Sequence, residues 1–82
     1  MTHDEAAALL TTIFRDVLDD DHIVLGDETT ANEVEGWDSL SHIRLIVAIE
    51  KKFRIRFSAS EVSSLRNVGE MLDLIIRKSA AA

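Results

Sequence analysis

Eighty-two residues at 9.1 kDa, 46% of them hydrophobic and 29% charged, suffice for one small globular domain over 1–82 and are too apolar for a disordered chain. The absence of cysteine excludes disulfides, thiolate metal sites and thiol nucleophiles. The net charge of −6 is unevenly placed: residues 1–38 carry eleven acids and one base (−10), whereas residues 39–82 carry four acids and eight bases (+4), and the acidic half disfavours nucleic acid and anionic lipid.

With no proline and little β-branched alternation, the chain leans to helices. Thr2 and Glu5 have the spacing of a capping box. The apolar positions that follow, Ala6, Leu9, Leu10, Ile13, Phe14, Val17 and Leu18, step as one stripe of an amphipathic helix over 3–18. Three aspartates, Asp19 to Asp21, stand at its negative end and stop it. Residues 19–38 lack a sustained helical period and carry turn formers, among them Gly26, Asn32 and Gly36. Ile23 and Leu25 are expected to pin this long loop across the bundle, and loops of about twenty residues in so small a domain are usually functional or poorly ordered.

Asp38 is a good N-cap for a second helix that is apolar over most of its circumference and is therefore expected to lie centrally. Lys51, Lys52 and Arg54 load its C-terminal end. Ser58 and Glu61 form a second capping box for a short helical turn. Asn67 and Glu70 start a last helix with the stripe Val68, Met71, Leu72, Ile75 and Ile76, and from Arg77 onwards the tail is expected to fray. The fold class is all-α: a four-helix bundle of three main helices and one short one, with a long loop between helices one and two.

The chemistry-bearing residues are few. Asp38, Ser39 and His42 contain the letters of a Ser-His-Asp triad, but neighbours at a helix start do not supply its geometry, so no catalytic residues are assigned. The run Asp19 to His22 lacks the alternation of a metal loop and no metal site is assigned; His3 and His22 read as surface histidines. Three glycines make no phosphate-binding loop. Ser39 is nevertheless unusual, because as the first helical residue it sits where unpaired backbone N–H groups and the positive end of the dipole gather. A phosphate on its hydroxyl would gain about 0.5–1 kcal/mol there; read without a phosphate, Ser39 is an ordinary helix starter.

The stretch Gly36-Trp37-Asp38-Ser39-Leu40 resembles the attachment motif of acyl carrier proteins, an Asp-Ser-Leu signature at the start of the second helix. The likeness extends through Ile43, Leu45, Ala48, Ile49, Glu50, Phe53 and Ile55 to the helix start Asn67-Val68-Gly69-Glu70, nearly the whole chain. The resemblance implies that Ser39 receives 4′-phosphopantetheine from coenzyme A through a separate phosphopantetheinyl transferase. The arm's thiol would then carry acyl intermediates as thioesters between acyl-loading and acyl-transferring enzymes. In that picture Asp38 presents Ser39, and Leu40 is either a docking knob or core. Trp37 locks the loop or shields the root of the arm. Ile43, Val47, Ile49, Val62, Leu65 and Ile75 are an interior that could open around an acyl chain, gaining about 0.8 kcal/mol per buried methylene. Such a carrier is expected to be a cytoplasmic monomer without membrane insertion.

Helix two departs from the fatty-acid type of carrier, which typically carries acids there. Ser41, His42 and Arg44 stand in their place and leave Glu50 as the main acid, so Leu40, Ile43, Arg44 and Glu50 are the candidate docking residues. This balance fits a stand-alone carrier of a dedicated pathway, polyketide or specialised lipid, better than a housekeeping fatty-acid role. The competing readings are a peptidyl or aminoacyl carrier, against which Trp37 argues, and a non-covalent helical interaction domain. A small nucleic-acid binder using the basic residues is the last, and the acidic half counts against it.

Overall fold

The computed structural model describes residues 1–81. Among them are four α-helices, α1 (His3–Leu18), α2 (Ser39–Phe53), α3 (Ala59–Ser64) and α4 (Val68–Ala81), one 3₁₀ turn (Ala31–Glu33), and no strand. Each start follows from local chemistry. Thr2 Oγ1 accepts from Glu5 N at 3.1 Å while Glu5 Oε1 accepts from Thr2 N at 2.9 Å, and Ser58 and Glu61 repeat the exchange before α3 at 3.2 and 2.8 Å. α1 and α2 both end on a residue in the left-handed region, Asp19 at φ 53° and Arg54 at φ 56°.

α1 packs against both α2 and α4. The interior is the meeting of their stripes: Leu10 and Phe14 of α1, Leu45 and Ile49 of α2, and Met71, Leu72 and Ile75 of α4 are all essentially inaccessible to solvent. Ile23, Val34 and Trp37 bring the long loop into the same cluster, and Arg15 Nε donates to Ile23 O at 3.0 Å, so the loop is strapped on as its apolar residues suggest.

Two expectations are corrected. α2 is not covered all round: Leu40, Ile43 and Val47 on its outward side are exposed, so Ile43 and Val47 do not belong to the interior. The C-terminal turns do not fray at Arg77, because Lys78 Nζ reaches Glu61 of α3 at 3.0 Å and lies 5.8 Å from the centroid of the Phe57 ring; Ala82 lies outside the described residues.

The start of α4 shows what the loop does for the bundle. Helical N–H groups of the first turn have no partner within their own helix. Here Val68 N donates to Thr29 O at 2.9 Å, Gly69 N to Asp27 O at 2.7 Å, and Glu70 N to Asn67 Oδ1 at 2.9 Å. Asp27 is held in turn by His3, whose Nε2 lies 3.0 Å from its Oδ1; chiefly through the charge of Asp27, the His3 pKa is raised above its ordinary 6.5.

A Cβ on Gly69 would stand 2.9 Å from Asp27 O and 3.3 Å from Asp27 Cβ. Helix propensity alone favours Ala over Gly by roughly 0.5–1 kcal/mol, whereas forcing an atom into a packed contact costs typically about 1–3 kcal/mol. Gly69→Ala is therefore expected to destabilise the protein in urea unfolding. Gly26→Ala, whose Cβ would sit in ordinary contact 3.5 Å from Thr29 Oγ1, should have little effect.

Candidate functional site

The loop delivers the chain to α2 through a short series of turns. Gly36 adopts φ +88°, a conformation that a side chain would strain. Trp37 N donates to Val34 O at 3.2 Å and the indole is buried edge-on against Phe14, with ring centroids 4.9 Å apart and planes at 87°. Asp38 then caps α2 as the sequence indicates, with Oδ1 accepting from Ser41 N at 2.8 Å. That bond from Ser41 holds the Asp38 carboxyl below its ordinary 3.8. Ser39, one residue on, is exposed at the first position of α2.

Behind Ser39 lies an open groove of about 500 Å³ between the loop, α2 and α3. Trp37, Ile43, Val62 and Leu65 give it apolar walls, while Asp38, Ser39, Ser63 and Arg66 give it a polar rim. Its shape is fixed by a relay that sequence reasoning missed. Trp37 Nε1 donates to His42 Nδ1 at 3.1 Å, so the imidazole proton sits on Nε2, which faces Val62 O at 3.2 Å. The two rings also lie stacked, with centroids 6.1 Å apart. His42 thus ties the loop to α2 and α2 to α3. With both nitrogens engaged it is not placed as a base for Ser39, and the triad reading has no geometry behind it. The only sequence signal for the relay is a tryptophan and a histidine five residues apart at a helix start.

The remaining sequence candidates separate. Leu40 is 72% exposed beside Ser39, which removes it from the core. Ile43 at 54% and Arg44 lie on the same outward side of α2. Glu50 is turned inwards, with Oε2 accepting from Phe57 N at 2.9 Å, so its carboxylate serves the turn after α2. Ile49 and Ile75 are fully buried, while Val62 and Leu65 are half-buried on the groove wall. Among the described residues no cluster of three or more His, Asp or Glu is arranged as metal ligands, and no helix is long and apolar enough to cross a membrane.

The site suits a covalently tethered phosphate arm. An exposed hydroxyl stands at the positive end of a 15-residue helix, beside a groove with apolar walls and an arginine on its rim. The family model described as the phosphopantetheine attachment site matches residues 8–75. An acyl carrier protein from Acidothermus cellulolyticus is 40% identical over 45 residues, a match spanning 55% of this chain and about half (54%) of that curated relative. The solution structure of a holo acyl carrier protein from Geobacter metallireducens superposes with a TM-score of 0.87 at 49% identity, over 93% of this chain and 87% of that one. The crystal structure of an acyl carrier protein from Thermotoga maritima gives 0.85 at 26% identity, over 96% and 92%.

Two expectations follow. Trp37→Phe keeps a ring against Phe14 but removes the indole donor and some volume, and should lower the unfolding free energy by about 1–2 kcal/mol; imidazole ¹⁵N shifts should report the change at His42 Nδ1. The Asp38 cap contributes fully above the ordinary carboxyl value of 3.8 and is lost as pH falls through the lower folded-state value. Stability followed from about pH 7 to about pH 3 should therefore fall at the acid end, and less steeply in Asp38→Asn.

Proposed function

This chain belongs to the acyl carrier protein family, and from that premise we propose that Ser39 bears its 4′-phosphopantetheine arm and that the protein passes acyl intermediates between enzymes without catalysing a reaction itself. The observation that carries the reading is the setting of Ser39, exposed at the first position of α2 and presented by the Asp38 cap. When attached, the arm supplies a terminal thiol on which acyl groups ride as thioesters.

The chain's own residues do three things in this scheme. Asp38 and the first turn of α2 fix the direction of the Ser39 hydroxyl, the nucleophile that takes the phosphopantetheinyl group of coenzyme A on a separate phosphopantetheinyl transferase. The positive end of the helix and Arg66 favour a phosphodiester at that oxygen. Trp37, Val62 and Leu65 offer apolar contact next to it, while the core beneath, including Ile49 and Ile75, is closed. A groove open to solvent suits short or polar acyl units, and this favours a dedicated pathway, polyketide or specialised lipid, over bulk fatty-acid synthesis. Leu40, Ile43 and Arg44 form the surface that meets the acyl-loading and acyl-transferring enzymes. The cysteine-free composition accords with a cytoplasmic carrier, which we take to act as a monomer.

Intact-mass measurement after incubation with coenzyme A and a broad-specificity phosphopantetheinyl transferase tests the assignment. A single phosphopantetheine increment is expected in the wild type and none in Ser39→Ala. A wild-type chain that stays unmodified with several transferases would leave a non-covalent interaction domain as the better reading.

A further inference from the structure

Three of the large hydrophobic side chains exposed in this protein, Leu40 (72%), Ile43 (54%) and Val47 (44%), lie on one helix, starting beside Ser39. At about 100° per residue, positions 40, 43, 44, 47 and 51 of a helix fall within an arc of roughly 100°. The apolar stripe and the bases Arg44 and Lys51 therefore share one face. Beyond Lys51 the face runs into a shallow cavity of about 470 Å³ lined by Val47, Glu50, Lys51, Arg54, Ile55 and Arg56.

The charge on this surface has one sign. From Ser39 to Arg56 the chain holds five bases and one acid, and the carboxylate of that acid, Glu50, is taken by Phe57 N at 2.9 Å. Among the described residues none of the five bases forms an ion pair, the bridges being those of His3, His22 and Lys78. An apolar ridge flanked by unneutralised cations is complementary to an apolar hollow rimmed by carboxylates, and it opposes a basic partner by like-charge repulsion.

We propose that the partner surface meeting this face of α2 is an apolar hollow with an acidic rim. Leu40, Ile43 and Val47 enter the hollow, Arg44 and Lys51 meet its carboxylates, and the Arg54–Arg56 end receives a further acidic group. An anionic membrane is the other surface with this chemistry. The acidic balance of residues 1–38, −10 in a chain of net charge −6, opposes approach to an extended anionic sheet. A protein hollow can match the stripe alone. The inference rests on the carrier reading only in placing the partner's active centre near Ser39.

The test uses the full ¹⁵N-labelled chain and two helical peptides that share one leucine stripe and differ only in flanking it with Glu or with Lys. The Glu peptide is expected to shift the amides of Leu40, Ile43, Arg44, Val47 and Lys51. Its affinity should fall by about tenfold between roughly 0.05 and 0.5 M salt. The neutral pair Arg44→Gln with Lys51→Gln should weaken the preference for the Glu peptide, and Arg44→Glu with Lys51→Glu should weaken it further, with circular dichroism verifying the fold of each. Equal binding of the two peptides, no binding of the Glu peptide, shifts confined to other surfaces, or a stronger response to phosphatidylglycerol vesicles than to the Glu peptide would each overturn the proposal. Ser39→Ala separates the two readings, since it should lose modification by the transferase and keep its response to the Glu peptide. A wild type that binds the peptide but resists modification refutes the assignment of Ser39 alone, and the converse refutes the docking surface alone.

Discussion

The indole of Trp37 joins the parts of this protein that carry its chemistry. Its ring packs edge-on against Phe14 of α1, its N–H reaches His42 of α2, and through His42 the bond continues to Val62 of α3. A buried indole N–H needs an acceptor, and the half-buried His42 ring supplies one at Nδ1 while its other nitrogen faces the Val62 carbonyl. The same residue ends the loop two positions before Ser39. The place where the hydroxyl emerges is therefore set by an aromatic contact and a relay anchored in three helices, not by the loop that precedes it.

That loop is also less free than its length and composition imply. Its carbonyls at Asp27 and Thr29 complete the first turn of α4, and Arg15 holds Ile23 from the other side. Capping of this kind exchanges loop freedom for helix stability, because backbone donors that would otherwise face water at the start of α4 acquire fixed acceptors. The close approach of Asp27 to Gly69 is the geometric consequence, and it explains why the residue at the second position of α4 has no side chain.

What the sequence made legible was local. Thr2 with Glu5, Ser58 with Glu61, Asn67 with Glu70, and Asp38 with the start of α2 all act across three residues, and these caps are visible as spacing. The fold class followed from them and from the stripes of α1 and α4. The orientation of α2 did not follow from its apolar residues, because Leu40, Ile43 and Val47 share one face with the bases Arg44 and Lys51 while a second apolar set turns inward. Only the packing of α1 against Leu45 and Ile49 settles that Ile43 and Val47 look out. Ser39 was legible as a helix starter and, through the motif around it, as the attachment point proposed here, whereas His42 was not legible as a clamp, since its partners are an indole on the loop and a carbonyl twenty residues ahead.

Arg54 is a costly residue at its position in the isolated chain. It occupies the left-handed cap of α2 at φ 56° and ψ 49°, where glycine has no Cβ to strain. A side chain in that conformation costs roughly 1–2 kcal/mol. A cation at an exposed helix C-terminus returns typically about 0.3–1 kcal/mol, and Lys51 and Lys52 in the last turn already provide that interaction. The balance falls against arginine if the cap is its sole task. The same holds for the grouping of Arg54 and Arg56 with Lys51 around one cavity, since like charges gathered on a surface repel and add nothing to stability in the free protein. A negative surface placed opposite would offset the repulsion among these bases, which is what the proposed docking supposes at the end of the helix whose other end displays Ser39.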